Sequence, residues 1–548
     1  MPAPGVSAAA RCGASILAPR RVRRLVQLVR SASASGEVEM DTAAEREKET
    51  YLESASRPSR FQESQWGPED VCTVLLEAMR VQWSHGYPHT PRGYPRTTHG
   101  FHEYPAGMQA AAADRILDVL PGDSLLDPFT GGGTSLVVGM TKGRRTVGID
   151  VSPLAAFVAT HRTWRPGVGA EEETFEWMRA TAARVVDGLD DAAKAVRDED
   201  ADAKAAKESE SEKGSAEGDD GTHGVREGAK KGGGVPRAWR AARRSLASAL
   251  DDPTAPQPPS PGLGGSTPAG ALWFCLSVAL QRSQKGRGKK KRGYKNQRQR
   301  TKKDFEVAIE TGAAIEAEVE CALSFQKCVD EYCDRVGELC EHTPGSTPAP
   351  VIVNGDVRSV SEAVPDGSVT SALTSPPYPG VYDYLSFARK VRAGSGAALV
   401  DGPDDGSSGG AGSDSQETTD DAKRHGTLRY FATAVPDDRN WPTDWNSGEF
   451  GSRRELRQDP RAFKDAWQED QRAWLGVVSR ALVPGGRAAV MIGDGANVDT
   501  RQSTIDAGAV VGLTHVASVS MALTHDMADG GVWNAARREH LVLLEKTA

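Results

Sequence analysis

The sequence contains no apolar run of about 18 residues, so it offers no candidate transmembrane helix. It is also sparing with cysteine. Seven cysteines in 548 residues are too few for a disulfide framework. The last four, Cys321, Cys328, Cys333 and Cys340, have six, four and six residues between neighbours. That is wider than zinc sites ordinarily use, so these cysteines read as positions on amphipathic helices and no metal site is expected. Hydrophobic residues make up only 38% of the chain and aromatics 6%. With a mean hydropathy of -0.48, this predicts long unfolded segments between the folded ones. Positive charge is not in excess either: the net charge of -8 excludes a uniformly basic nucleic-acid binder. It averages acidic with basic tracts, however, and leaves room for a local basic patch. The length allows two to four domains.

Acidic residues are missing altogether from residues 1–36, which carry Arg11, Arg20, Arg21, Arg23, Arg24 and Arg30 ahead of a Ser/Ala run. This is the composition of an organellar transit peptide, which would send the protein to a mitochondrion or plastid. A basic tail with nuclear or nucleic-acid use is the alternative. Residues 37–67 read as a linker. From Pro68 onward Val71, Val74, Leu75, Ala78 and Met79 recur at helical spacing. An aromatic, His- and Pro-rich segment follows, ending in Phe101-His102-Glu103-Tyr104-Pro105-Ala106. Its histidines lie at separations such as 10 and 3, which match no common ligand motif. A loop packed on a cofactor or substrate fits better, with a helix after it over 107–120.

Ser124 to Asp127 is a short apolar strand, and Pro128-Phe129-Thr130-Gly131-Gly132-Gly133-Thr134 a glycine-rich turn. Ser135 to Lys142 reads as a helix, and Arg145 to Asp150 as a second strand ending in an acid. Glycines at the first strand-to-helix turn let the backbone approach a ligand, and the helix N-terminus supplies N–H donors. An acid closing the second strand can accept hydrogen bonds from ribose hydroxyls. The Gly131-to-Asp150 spacing therefore suits a nucleoside-bearing cofactor. The turn lacks the Gly-Lys-Ser/Thr ending of a P-loop, which argues against nucleoside triphosphate hydrolysis.

Residues 166–349 break this pattern and read as an insertion, largely disordered, with basic and helical patches. Asp198 to Asp220 holds ten acids and three lysines, and Pro253 to Pro268 is Pro/Gly/Ser-rich. Lys285 to Lys303 carries eleven Lys/Arg and Tyr294. That basic run over 285–303 could contact phosphates, or be a solvated charge run. Ala271 to Leu280 and Asp304 to His342 are helical patterns.

The second folded half, 350–548, carries the most informative stretch. Val369 to Leu373 reads as a buried strand, and Thr374-Ser375-Pro376-Pro377-Tyr378 follows it. Two consecutive prolines cannot donate hydrogen bonds and fix φ, so the chain leaves the strand in a rigid turn whose carbonyls are free to face a cleft. On these residues alone, a stiff loop that merely ends a strand stays open. Residues 391–427 are a loose Gly/Ser/Asp-rich loop. Ala462 to Leu482 is an amphipathic helix, Pro484-Gly485-Gly486 a turn, and Arg487 to Ile492, Val510 to Met521 and His540 to Leu544 are the closing strands.

Taken together, these motifs resemble the S-adenosylmethionine-dependent amino-methyltransferases that act on DNA bases. Asp127 to Thr134 is similar to their cofactor motif, and Thr374 to Tyr378 to their catalytic motif. Phe101 to Ala106, Leu482 to Gly486 and Arg538-Glu539-His540 resemble flanking stretches. The resemblance covers about 68–165 and 350–546. It implies a Rossmann-like class I methyltransferase: an α/β fold with a seven-stranded, mainly parallel sheet and helices on both faces, interrupted here by long low-complexity insertions. The cofactor would be S-adenosyl-L-methionine, contacted by Asp127, Pro128, Phe129, Thr130, Gly131, Gly133, Thr134, Asp150 at the ribose and Asp356 at the adenine amine. The catalytic set would be Ser375, Pro376, Pro377 and Tyr378. Ser375 Oγ and the Pro376 carbonyl would draw the amine protons toward a tetrahedral arrangement, and Tyr378 would stack on the extruded base. Serine at the first motif position is what the family associates with cytosine N4; adenine N6 and an organellar tRNA or rRNA base are the alternatives. DNA is the preferred partner and RNA a possible one. The order of motifs, cofactor first, departs from many cytosine-amino enzymes. The low-complexity insert argues against reading a defined DNA sequence.

Overall fold

The computed structural model describes residues 60–85, 91–102, 104, 107–214, 237–290, 313–359, 364–380, 450, 451, 456, 459–496, 498–526 and 532–547. The basic leader 1–36, the loop 391–427 and residues 291–303 of the basic run lie outside the described residues. Eight strands form one mixed sheet: β1 (Arg60–Trp66), β2 (Ser124–Asp127), β3 (Arg145–Asp150), β4 (Val351–Asn354), β5 (Val369–Thr374), β6 (Leu482–Gly493), β7 (Leu513–Asp526) and β8 (Val532–Lys546), in the spatial order β1-β7-β8-β6-β5-β2-β3-β4. From β6 to β4 every neighbouring pair is parallel. At the other end β8 runs antiparallel to β6 and β7, and β7 antiparallel to β1. The expected seven strands are thus eight, and the additional one falls within the expected linker. Arg60–Trp66 is an edge strand, held by its ladder to β7, by stacking of Trp66 on His515 at 4.2 Å and by a Glu63–Arg80 ion pair to the next helix.

Short apolar strands of this kind are stable only when both faces are covered. Adjacent residues accordingly enter opposite cores. Leu126, Ala372, Val490 and Val542 face one, with Trp467 and Trp474; Leu125, Leu373, Ala489 and Leu541 face the other, with Leu75, Met79 and Ile116. Helices α1 (Glu69–His85) and α2 (Ala110–Leu117) cover the second face. Helices α10 (Pro460–Ala481) and α11 (Thr500–Val510) cover the first. Asp459 caps α10 by accepting the Arg461 and Ala462 amides, and Pro460 sits in the first turn, where its missing N–H costs nothing. Between β2 and β3 lies α3 (Thr134–Thr141), and after β3 comes α4 (Pro153–Thr163), capped by Ser152.

The insertion 166–349 is largely helical among its described residues, not largely disordered. It forms α5 (Glu171–Asp187), α6 (Leu189–Gly214), α7 (Arg237–Asp251), α8 (Pro268–Lys290) and α9 (Ala313–His342). Trp177, Met178, Leu246, Phe274, Phe325 and Tyr332 share a core with Phe101 and Trp164 of the sheet domain. The acidic tract begins inside a helix. Its acids Glu199 and Asp200 pair with Arg244 and Arg240 of α7, while Leu189, Ala193 and Val196 give α6 a buried stripe. The Pro-rich segment 253–267 is docked rather than loose. Trp164 and Trp177 donate their indole N–H groups to the Pro261 and Pro256 carbonyls, and Arg165 and Leu263 exchange backbone bonds. Cys321, Cys328, Cys333 and Cys340 all lie on α9, and burial raises the thiol pKa of Cys328, Cys333 and Cys340.

Candidate functional site

The strand order reverses at one place. From β2 the chain steps outward to β3 and β4 in one direction, and through β5 to β6 in the other. In open α/β sheets that switch point opens a crevice beyond the carboxyl ends of the strands. A cleft of ≈ 940 Å³, counted to its open mouth, lies there. Its walls are Asp127 to Gly132 with Thr134 and Ser135 after β2, Asp150 to Ser152 after β3, Gly355 to Val357 after β4, Ser375 and Pro377 after β5, and Phe450 with Tyr104 and Met108.

The glycine-rich turn is shaped by its backbone. Gly131 and Gly133 have φ of 50° and 76°, the left-handed region that glycine enters without steric cost, and Gly133 is the residue from which α3 starts. Asp150 holds the turn from the neighbouring strand: Oδ2 accepts the Gly131 amide at 2.8 Å and Oδ1 the Ser152 amide at 2.9 Å. Removal from water pushes its carboxyl up to about 6, against the pull of those two amides.

Asp127 ties the two halves of the site together. It is 4% exposed; Oδ1 accepts from Thr374 Oγ1 at 2.7 Å and from the Phe129 amide at 3.1 Å, while Oδ2 accepts from Ser135 Oγ. Thr374 is the last residue of β5 and Ser375 the next, so one carboxylate fixes the glycine-rich turn against the Ser-Pro-Pro-Tyr turn. Burial pushes Asp127 up to about 6 as well. Asp356, at the cleft edge, is engaged differently: both its oxygens accept from Arg358, at 3.0 Å (Nε to Oδ1) and 2.6 Å (Nη2 to Oδ2). Arg358 also reaches the buried Asp470 and lies 4.7 Å from the Phe450 ring centroid. A ligand amine at Asp356 would share its carboxylate with that guanidinium.

Of the residues singled out from the sequence, Asp127, Pro128, Phe129, Thr130, Gly131, Thr134, Asp150, Asp356, Ser375 and Pro377 surround this one cleft. Gly133, Pro376 and Tyr378 are not on its wall. Gly133 serves the helix start and Pro376 is buried. Tyr378 is held beside the turn: its Oη donates to Glu539 Oε1 at 2.6 Å, and its ring lies so close to Gly493 that a Cβ there would sit 2.6 Å from Cε2. Glu539 is shielded from water, which raises its pKa against the effect of the Tyr378 hydrogen bond. Next to it His540 bonds Ser520 Oγ at 2.7 Å and Asp494 Oδ1 at 3.1 Å. Asp494 in turn accepts the Thr500 hydroxyl.

In the sequence Arg538-Glu539-His540 stood out only as a stretch flanking the two main motifs. An acid and a histidine at the start of a buried strand were the available signal for this network. Arg162 and Arg358 carried no signal, because an isolated arginine in a helix or loop pattern reads as surface. His99, near Tyr104, is structural: it lies against Arg162 Nη2 at 3.0 Å, and burial with that charge holds it well below the usual imidazole range. Among the described residues no group of His, Cys, Asp or Glu is arranged to hold a metal ion, and no helix is long and apolar enough to cross a membrane. The chain matches no protein-family model and no curated protein.

Proposed function

We propose that the protein is an S-adenosylmethionine-dependent methyltransferase acting on an exocyclic amino group of a nucleic-acid base, with cytosine N4 of DNA as the leading target. The observation that carries this reading is the Thr374–Asp127 hydrogen bond, which puts Ser375 and the glycine-rich turn on the walls of one cleft at the sheet's switch point. The two motifs, 247 residues apart in sequence, follow neighbouring parallel strands, and this hydrogen bond fixes them on the same cleft.

The residues present fit the cofactor. The left-handed glycines leave room for close backbone approach, and Asp127, Asp150 and Asp356 give the cleft an acidic wall suited to a ligand carrying sulfonium and ammonium charges. Asp150, fixed by two amides, would receive the ribose hydroxyls; Asp356 would receive the adenine amine; and Gly131 would lie along the methionine part. Bound there, the cofactor supplies an activated methyl group with a good leaving group. The protein's own share is positioning and hydrogen-bond acceptance. Ser375 Oγ and the Pro376 carbonyl would accept from the target amine, whose lone pair is otherwise delocalised into the ring. Tyr378, tethered by Glu539 beside the turn, would provide an aromatic face for the base without occupying the cofactor cleft.

The class I methyltransferase fold is the finer reading of the eight-stranded sheet, and the strand reversal at β2 and β5 supports it. The test is labelled methyl transfer to DNA, tRNA and rRNA, with products identified as nucleosides by mass spectrometry. N4-methylcytosine from DNA is the expected product. Product from RNA alone transfers the reading to an RNA enzyme, and no transfer with bound cofactor refutes it. Ser375→Ala should leave cofactor affinity within about twofold while lowering transfer by roughly 100-fold, the scale of losing a positioned acceptor.

A further inference from the structure

The helical insertion does more than decorate the sheet. Its helices α8 and α9 grip the strap Arg96–His102, which runs on to Tyr104 at the cleft. Glu338 of α9 accepts two consecutive strap amides, Arg96 at 3.2 Å and Thr97 at 2.8 Å. Arg335, 7% exposed and one turn earlier on α9, donates to the carbonyls of Thr97 at 3.4 Å and His99 at 2.8 Å. Arg282 of α8 donates to the Phe101 carbonyl at 3.3 Å. Glu331 pairs with both guanidinium groups, and those groups lie 5.0 and 5.7 Å from the Phe101 ring centroid.

Two facts show that the strap is held in place rather than resting there. Thr97 has φ of 39°, a conformation that β-branched residues rarely adopt, and it is at Thr97 that Glu338 and Arg335 both bind. The strap also delivers its far end against the glycine-rich turn. The Tyr104 ring is so close that a Cβ at Gly131 would lie 3.2 Å from Cε1, and one at Gly132 would lie 3.1 Å from the Tyr104 Cβ. Tyr104 itself lines the cleft. Beneath, the fully buried Arg162 joins strap and turn, donating to the Gly132 carbonyl at 2.5 Å and meeting His99 Nδ1 at 3.0 Å.

We propose that the insertion is part of the cofactor site: Glu338 and Arg335 are positioning residues that set S-adenosylmethionine affinity by holding the Arg96–His102 strap, and through it Tyr104, against the glycine-rich turn. This rests on the reading of the cleft as an S-adenosylmethionine site. Because α9 belongs to the same packed insertion as α8, whose C-terminal end carries the start of the basic run, a nucleic acid held by the insertion would bear on the cofactor wall through the same contacts.

The experiment compares full-length wild type, Glu338→Ala and Glu338→Gln by calorimetric titration with S-adenosylmethionine and by hydrogen exchange of the ligand-free strap amides. Glu338→Ala should weaken the cofactor about tenfold or more and speed exchange at Thr97. Glu338→Gln keeps one acceptor for the two amides, so it should recover part of both. A merely structural role for Glu338 would show as a lowered unfolding midpoint with no recovery of affinity by glutamine, and that overturns the proposal. Faster exchange with unchanged affinity, or unchanged exchange, overturns it too. A wild-type chain that binds no S-adenosylmethionine overturns the reading of the cleft, and the proposal with it; the exchange comparison separates that failure from a failure of the strap.

Discussion

Replacing Asp127 by asparagine should stabilise the fold at neutral pH while impairing the site. Asp127 is a carboxylate kept almost out of water, and its partners are an amide and two hydroxyls rather than a cation. Its pKa rises from an ordinary 3.8 to about 6. Two units at 1.36 kcal/mol each put the cost of keeping it ionised at about 3 kcal/mol. The sign follows from proton counting. Between about pH 4 and 6 the folded state binds more protons than the unfolded state, so stability falls as pH rises through that window and stays low above it. At pH 7.5 the full penalty applies, and at pH 5 about half of it. Asparagine matches the shape. Its carbonyl can accept from Phe129 and Thr374, and the Ser135 hydroxyl can turn to accept from its amide. Asp127→Asn should therefore raise the unfolding free energy by up to about 3 kcal/mol at pH 7.5 and by about half as much at pH 5. Chemical denaturation at both pH values measures this, and the pH slope of stability should shrink by the share of one proton. Cofactor affinity should fall, since a neutral wall is a poorer match for a cationic ligand. A variant that is destabilised at pH 7.5, with the pH slope unchanged, would refute the electrostatic account of this residue.

The other expectations concern single contacts. Asp150→Ala removes the acceptor for the Gly131 and Ser152 amides, and with two charge-assisted bonds gone S-adenosylmethionine binding should weaken by roughly 100-fold in calorimetry. Tyr378→Phe and Glu539→Ala break the same hydrogen bond from its two ends, so each should lower transfer by roughly tenfold with little effect on cofactor affinity. The double variant should be no worse than the more impaired single one; additive losses would separate the two residues.

How far the sequence could be read depended on whether a residue's partners were close along the chain. The β2–turn–α3–β3 unit was legible because its chemistry is local: apolar strand, glycines, helix, acid. The Ser-Pro-Pro-Tyr turn was legible because two prolines leave few conformations. The insertion was misjudged for the opposite reason. Asp200 and Glu199 look like solvated charge until Arg240 and Arg244, about 40 residues on, supply their partners. Pro256 and Pro261 look like linker until two indoles claim their carbonyls. Edge strand β1 is polar, RFQESQW, and only its ladder to β7 makes it a strand, so composition filed it as linker. The role of Tyr378 was read one step short. Its ring was expected on a base, but the acid that orients it lies 161 residues away.

The ends of the insertion have a bearing on how the chain comes to be folded at all. Strands β2 and β5 are neighbours, bridged by Ser124 and Thr370, 246 residues apart. Closing a loop of that length early is entropically unfavourable, and contacts at such separation slow folding. Arg165 Nη2, however, donates to the Thr347 carbonyl at 3.0 Å across 182 residues, drawing the two ends of the insertion together at the base of its own helical core. Once those helices have condensed, the span left to close between β2 and β5 is only the residues outside that clasp. The clasp thereby lowers the loop-closure cost of bringing the two central strands together.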